Sequence, residues 1–324
     1  MKSLPSLRWG ILGTGMIARR FSAQLPLSQT GTLAAIASRS FAGAETLTAQ
    51  FGGAPCASYA ALLERSDIDA VYIALPNQYH VEWTLAALAS GKHVLCEKPL
   101  APSAAEGRHL FAVAEASGRL LVEAMMYRAH PQTKEFFASI RDGLIGDVRL
   151  AHCHFTFQRP ASRDDARYQS GGGGGSLYDV GCYCIDWLRS VVGEEPAEVR
   201  CLIHRHEFGV DDYATALMAF PGGALATFTC GMTVASDQTA HLAGTSGRVM
   251  MPRFWQAAEG YTCFDESGTP RFMAPIEVGR PLYALEADAF AEIVGGAKSW
   301  HSPENTVANL AVLERLLAAA RSGS

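Results

Sequence analysis

The 324 residues hold no run of basic residues and no apolar stretch near the roughly 20 residues of a membrane span, so the footprints of a nucleic-acid binder and of a membrane-spanning protein are both missing. Lys and Arg number 27 against 32 Asp and Glu, a formal net charge of −5, which makes a small molecule the better-matched partner. From Met1 to Arg8 the chain runs straight into an apolar strand without the charged segment, apolar segment and cleavage site of a secretory leader, and the expected location is cytoplasmic. The eight cysteines, at 56, 96, 153, 182, 184, 201, 230 and 263, lack the framework of a small secreted domain and read as reduced, mostly buried thiols. Neither a G-x-S-x-G elbow nor an H-E-x-x-H helix occurs, which leaves hydrolase readings without support. Cys182 and Cys184 have no second ligand pair, and His152 and His154 read as a solvated or interface pair, so no metal is expected. No internal repeat is visible.

What is present is ordinary globular composition: 48% hydrophobic and 18% charged residues, 31 glycines and 15 prolines. The length suits two domains. From Leu7 to about Val122, apolar runs at Trp9–Leu12, Leu33–Ala37, Ala70–Leu75, His93–Cys96 and Leu120–Val122 alternate with predicted helices to Gln24, over Ala42–Phe51, Val81–Ser90 and Ala104–Ala116. Strands apolar throughout and separated by helices predict a parallel sheet covered on both faces. After Tyr127 a helix (His130–Asp142) leads to strand candidates at Val148–Phe157, Val199–His206, Ala214–Phe220, Ala224–Thr229 and Ala240–Ala243, with Pro221-Gly222-Gly223 as a short turn that predicts antiparallel pairing. Helices over Leu282–Val294 and Glu304–Ala320 should pack on this second domain or back on the first. The expected fold is α/β: a Rossmann dinucleotide-binding domain over 1–124, then an α+β domain over 125–324 with a large, mostly antiparallel, open-faced sheet.

Gly13-Thr14-Gly15-Met16-Ile17-Ala18 follows the first strand and opens the first helix, the context that makes a G-x-G-x-x-[GA] match a dinucleotide fingerprint. The first glycine permits the tight turn, the second lets backbone approach a pyrophosphate, and Ala18 allows close helix–sheet packing. An NAD site would place an acid at the end of the second strand; Ser38 and Arg39 stand there instead, and a guanidinium suits the 2′-phosphate of NADP. Glu97-Lys98-Pro99 follows an apolar strand at its carboxyl end, where such sheets bind ligands; on position alone Lys98 reads equally as a solvated surface charge. Gly171–Gly175 precedes Ser176 and a helix predicted over Leu177–Val191, on which Asp179, Tyr183 and Asp186 fall on one face and Val180, Cys184, Trp187 and Val191 on another. A phenol becomes a usable acid or base near neutrality only beside a cation, which Lys98 would supply; otherwise Tyr183 is a core tyrosine and the glycine run a flexible linker.

Pro76-Asn77-Gln78-Tyr79-His80, Ala87-Leu88-Ala89-Ser90-Gly91-Lys92-His93-Val94-Leu95-Cys96-Glu97-Lys98-Pro99-Leu100 and Gly172–Tyr183 resemble the motifs of the Gfo/Idh/MocA oxidoreductases, and the resemblance spans nearly the whole chain. It implies a cis Lys98–Pro99 peptide and a catalytic set of Lys98, Tyr183 and Asp179. Tyrosine at 183 and Glu123–Pro131 resemble the branch of NADP-dependent xylose dehydrogenase, dimeric dihydrodiol dehydrogenase and glucose-fructose oxidoreductase. Ala129, often aromatic in relatives, departs from that pattern and would widen the pocket. The implied NADP(H) contacts are Gly13, Thr14, Gly15, Met16, Ile17, Ser38, Arg39, Leu75, Pro76, Asn77, His80, Glu97, Lys98 and Arg128. The implied contacts to a sugar, polyol or trans-diol are Arg128, His130, Arg167, Asp179 and Tyr183. A homodimer or homotetramer through the open sheet face is implied as well. The same resemblance accommodates a sugar–sugar oxidoreductase that recycles bound NADP(H), or a non-catalytic NADP-sensing regulator, for which an intact Lys98 and Tyr183 would be superfluous.

Overall fold

The alternation of apolar strands and helices in the first part of the chain is realised in the computed structural model, which describes residues 4–257 and 259–322. Strand β1 (Leu7–Leu12) leads into α1 (Met16–Gln24), β2 (Gly31–Ala37), α2 (Phe41–Phe51), β3 (Ala54–Cys56), α3 (Tyr59–Leu63), β4 (Ala70–Ile73) and α4 (His80–Ala89). Then come β5 (His93–Glu97), α5 (Ala104–Ala116), β6 (Leu121–Ala124) and a short α6 (Met126–Ala129). All pairings among the six strands are parallel, in the order β3-β2-β1-β4-β5-β6. Every residue of β4 and all of β1 but Arg8 are buried, as a sheet covered on both faces requires. The strand order reverses between β1 and β4, which makes their carboxyl ends the topological switch point. Strand β3 and helix α3 are too short for a periodic pattern and were not anticipated; Pro55 is tolerated because β3 is an edge strand.

The chain continues through α7 (Pro131–Arg141), β7 (Val148–Thr156), α8 (Cys182–Val192), β8 (Glu198–Arg205), β9 (Asp211–Ala219), β10 (Leu225–Gly231), β11 (Thr239–Gly244), β12 (Gly247–Pro252), β13 (Tyr261–Asp265) and β14 (Pro270–Met273). These eight strands form one sheet, β14-β13-β12-β11-β7-β10-β9-β8, antiparallel throughout except where β7 and β10 run parallel. Helix α8 packs on β7 and β10. The other face carries the exposed Leu150, Leu202, Leu217 and Leu225, so one side of the sheet is open as predicted. The Pro221–Gly223 turn joins β9 and β10 as an antiparallel hairpin, closed by a bond from Phe220 N to Ala224 O of 3.0 Å. Strands β12 to β14, not anticipated, extend the far edge.

Two final helices follow, α9 (Leu282–Val294) and α10 (Pro303–Ser322). Among the described residues no helix is long and apolar enough to cross a membrane. The chain divides into two compact units: residues up to Ala129 together with Gly279–Thr306, and His130–Val278 together with the residues from Val307 on. A single cut after residue 124 therefore does not describe the chain, because α9 returns to the first unit. The cause is hydrophobic: Tyr283, Ala287, Phe290 and Ala291 enter the same core as Trp9, Phe21, Leu25 and Tyr72, with Trp9 against both Phe21 and Phe290. Polar contacts reinforce this. The buried Asp288 accepts from Ser28 Oγ (2.6 Å), Gln29 N (2.8 Å), Thr30 N (3.0 Å) and Thr30 Oγ1 (2.7 Å), and so holds the turn into β2.

Candidate functional site

In the first unit the expected dinucleotide residues gather at the carboxyl ends of β1, β2, β4 and β5. Gly13 has φ +111°, and a Cβ there would sit 2.5 Å from the Ala74 carbonyl oxygen, so glycine is required. An added Cβ on Gly15 would meet no atom within 4 Å, leaving open space over the start of α1. That start has no side-chain cap and no acidic residue in its first turn, so its N–H groups and positive dipole end are available to an anion. Met16 is exposed, Ile17 half-buried, and Ala18 fully buried beneath the turn. Thr14 Oγ1 lies 3.1 Å from Ser38 Oγ, tying the turn to the end of β2. The exposed Arg39 follows, close enough to Tyr59 for its charge to oppose the burial that raises that phenol's pKa. No carboxylate stands in this stretch, Ser38-Arg39-Ser40-Phe41, which suits a phosphorylated ribose better than a bare diol.

Leu75, Pro76 and Asn77 leave β4, and Lys98–Pro99 leaves β5 through a cis peptide, as the resemblance implied. His80 lies between these two segments. It is fully buried, its Nδ1 lies 2.8 Å from Pro99 O and its Nε2 2.9 Å from Leu75 O, so the ring braces the two segments against each other. Burial holds its pKa below the usual value, the two carbonyls pull it up and the Lys98 ammonium adds to the lowering. Glu97 is buried too and accepts the hydroxyl of Tyr72, which stacks on Phe21 at 3.9 Å. Arg128, half-buried on α6, precedes the buried Ala129. Two residues outside the expected set also meet this region: Glu123 Oε1 accepts Leu100 N at 2.9 Å, and Glu123 Oε2 lies 2.8 Å from His301 Nε2. A glutamate inside an apolar strand is the one sequence signal for such a pair; His301, 178 residues later, gives none.

In the second unit His130 is buried and caps α7, its Nδ1 accepting from Gln132 N at 3.1 Å, while burial lowers its pKa. The glycine run is no linker. A Cβ on Gly175 would lie 2.1 Å from Asp211 Oδ1, and one on Gly174 would lie 2.7 Å from Gln169 O. Asp211 Oδ2 accepts Ser176 Oγ (2.7 Å) and Leu177 N (2.8 Å), fixing where the next helix begins. That helix is not α-helical from its start: Leu177–Gly181 forms a π-turn and α8 begins at Cys182, so the i, i+4, i+7 grouping of Asp179, Tyr183 and Asp186 does not hold as drawn. Asp186 is fully buried with Val180, Cys184, Trp187 and Val191. Asp179 pairs instead with Arg167, Nε to Oδ2 at 2.8 Å, and Asp165 Oδ1 takes Arg167 N (3.1 Å) and Nη1 (3.3 Å). The Asp179 carboxylate raises the Arg167 pKa further. Tyr183 is nearly buried, its ring 5.4 Å from Phe155, which stacks on Trp255 at 3.8 Å. The link between Arg167 and Asp179 is visible only in three dimensions.

His152 and His154 share a sheet face, their Nε2 atoms 2.6 Å apart, with Thr227 Oγ1 2.6 Å from His152 Nδ1. Among the described residues no group of three or more His, Cys, Asp or Glu side chains is placed to hold a metal ion. All eight cysteines are buried and none is joined in a disulfide.

The first unit's features fit a dinucleotide: a glycine turn with room above it, an uncapped helix start, and a cation in place of the ribose-binding acid. Residues 7–125 match the model of the oxidoreductase family with an NAD-binding Rossmann fold, and residues 134–250 match that of the GFO/IDH/MocA C-terminal domain. A trans-1,2-dihydrobenzene-1,2-diol dehydrogenase of Mus musculus is 34% identical over 260 residues, 78% of this chain and 77% of that one. The crystal structure of a 3-ketoreductase from Actinomadura kijaniata in complex with NADP and TDP-benzene superposes with a TM-score of 0.88 at 32% identity, covering 97% of this chain and 98% of that one. An aldose-aldose oxidoreductase from Caulobacter crescentus, complexed with glycerol, gives a TM-score of 0.89 at 26% identity over 98% of each chain. With a family match across both halves and a relative of this identity and coverage, the chain belongs to the Gfo/Idh/MocA family and is an oxidoreductase with that family's dinucleotide-binding Rossmann domain.

Proposed function

We propose that the protein is an NADP-dependent oxidoreductase that transfers hydride between the nicotinamide and a carbon bearing a secondary or anomeric hydroxyl of a sugar, polyol or trans-diol. The observation that carries this is the sheet edge on which the Gly13–Gly15 turn, Arg39 and Lys98 all leave carboxyl strand ends, with a cation and no acid after β2. Bound NADP would supply the hydride acceptor, held by the Gly13–Ile17 turn with its 2′-phosphate on Ser38 and Arg39. Tyr183 exchanges the proton of the substrate hydroxyl. Lys98 polarises the same oxygen and favours the phenolate, since an ammonium near a phenol lowers the cost of ionising it. Asp179, in the π-turn that leads into the tyrosine's helix, and Arg167 hold one another and orient the substrate's remaining hydroxyls, which neutral polyols present and which the Asp165, Asp179 and Arg167 set, with two acids to one base, would recognise.

The test is steady-state turnover with NADP and NAD across aldoses, inositols, glycosides and trans-diols. Lys98→Met and Tyr183→Phe should each lower kcat by about a hundredfold or more while the cofactor still binds, and Arg39→Asp should move the preference toward NAD. Unchanged turnover in both of the first two variants would sink the mechanism, and an unmoved cofactor ratio the role of Arg39. The likeness to an aldose-aldose oxidoreductase supports a second reading, in which the cofactor stays bound and cycles between two sugars. Cofactor that survives dialysis and is reduced by one sugar and reoxidised by another would select it. We also propose a homodimer or homotetramer joined through the open sheet face.

A further inference from the structure

We infer that Glu123 and His301 form a positioning pair for Lys98, gripping the peptide that follows Lys98–Pro99 and placing a buried carboxylate beside the lysine's segment. The inference rests on the proposed role of Lys98. Glu123 is 1% exposed and the His301 side chain fully buried, and a buried acid is costly unless each oxygen finds a donor. Both do. Oε1 takes the Leu100 N–H at 2.9 Å, and Oε2 faces His301 Nε2 at 2.8 Å. On the other side of the ring, Asn305 Nδ2 lies 3.1 Å from His301 Nδ1. An amide NH2 only donates, so Nδ1 is the acceptor and the ring proton resides on Nε2, from which it is given to Glu123. The imidazole is thus fixed in one tautomer and the carboxylate is a double acceptor.

The point of attack on the backbone is specific. The Pro99 carbonyl and the Leu100 N–H belong to one peptide unit, and buried side chains hold both ends of it: His80 Nδ1 at the oxygen (2.8 Å) and Glu123 at the nitrogen (2.9 Å). The plane of that peptide is set, and with it the direction in which the chain leaves Lys98. Glu123 also acts at a distance, since both its charge and that of Lys98 reach the His80 ring. A neutral acceptor such as a serine hydroxyl would have served the Leu100 N–H; a carboxylate with its own imidazole adds a negative charge that favours the Lys98 ammonium.

Two readouts separate positioning from mere stability. The chain has five lysines (2, 92, 98, 134 and 298), few enough for reductive 13C-methylation to give assignable NMR signals in the cofactor-free protein, with Lys98→Met identifying the Lys98 peak. Glu123→Gln keeps an oxygen for Leu100 but removes the charge; it should move the Lys98 titration to lower pH and cut kcat by about tenfold to a hundredfold, with the KM for NADP changed less than about twofold. His301→Ala should do the same, and His301→Gln, whose amide N–H replaces Nε2–H, should recover most of the loss. If Glu123→Gln and His301→Ala lower Tm but leave the Lys98 titration and kcat unmoved, the pair is structural only and the inference falls; should His301→Ala not fold, Glu123→Gln decides alone. If instead the Lys98 signal shifts while Lys98→Met retains full turnover, the positioning stands and the proposed role of Lys98 fails.

Discussion

Glu286 lies on α9 in the core of the first unit, fully buried, and neither of its oxygens has a hydrogen-bond partner. Burial, then the nearby Glu97 charge, raises its pKa well above the ordinary 4.5, so it is held as the neutral acid. For a carboxyl whose folded pKa exceeds its unfolded one, the stability it contributes is whole below the unfolded value and is lost as pH rises toward the folded value, because unfolding then releases a proton. Glu286→Gln removes that titration. The variant should gain on the parent progressively as pH climbs from about 4.5 past neutrality, a gap readable from denaturant melts at several pH values. Parallel stability curves for the two proteins would refute it. At the same scale, the His80 ring is buried between two carbonyl oxygens inside the fold, a setting that its motif position alone does not disclose.

The entry to α8 turns on backbone space. Gly175 has φ +114° and an added Cβ would meet the Asp211 carboxylate at 2.1 Å, whereas Gly171, at φ +86°, has nothing within 4 Å. Alanine at 171 should therefore cost about 1 kcal/mol, the penalty of a left-handed backbone alone, while alanine at 175 should cost at least about 2 kcal/mol more by displacing the group that anchors Ser176 and Leu177. Chemical denaturation of the two variants compares them directly, and equal losses would show that Asp211 yields freely. Such features set the bounds of what the sequence discloses. The β1-turn-α1 unit and the strands after it are legible because their signals are local: apolar runs, glycines at a fixed spacing, a helix that follows at once. The π-turn at Leu177–Gly181 is not, because it depends on Asp211 and on Cys230, whose Sγ would lie 3.2 Å from a Cβ at Gly181. Strands β12 to β14 are not legible either, since short, half-exposed strands carry too few apolar positions to show a period of two. The pairing of Arg167 with Asp179, like that of Glu123 with His301, joins residues whose spacing encodes nothing.

At the scale of the molecule, the eight-stranded sheet leaves Leu150, Leu202, Leu217 and Leu225 exposed on one face, at 56%, 74%, 40% and 46%. Leucines collected on one sheet face are the pattern of a surface covered by another chain, and in the proposed homo-oligomer a symmetry-related copy would cover it with the same residues. Leu217→Lys should lower the mass found by sedimentation to that of the monomer without unfolding the protein; an unaltered mass would remove this face from the assembly.

The path of the chain has a consequence for its birth on the ribosome. The dinucleotide-binding unit is begun first and finished almost last: Phe290 completes the core around Trp9, Asp288 secures Ser28 to Thr30, and His301 meets Glu123 only when the segment Gly279–Thr306 has been made. A nascent chain with the second unit's strands already synthesised still carries the cofactor unit as an open, adhesive sheet, so the interval between residues 129 and 279 is when chaperones have most to protect and when a premature stop releases a fragment with no finished cofactor unit.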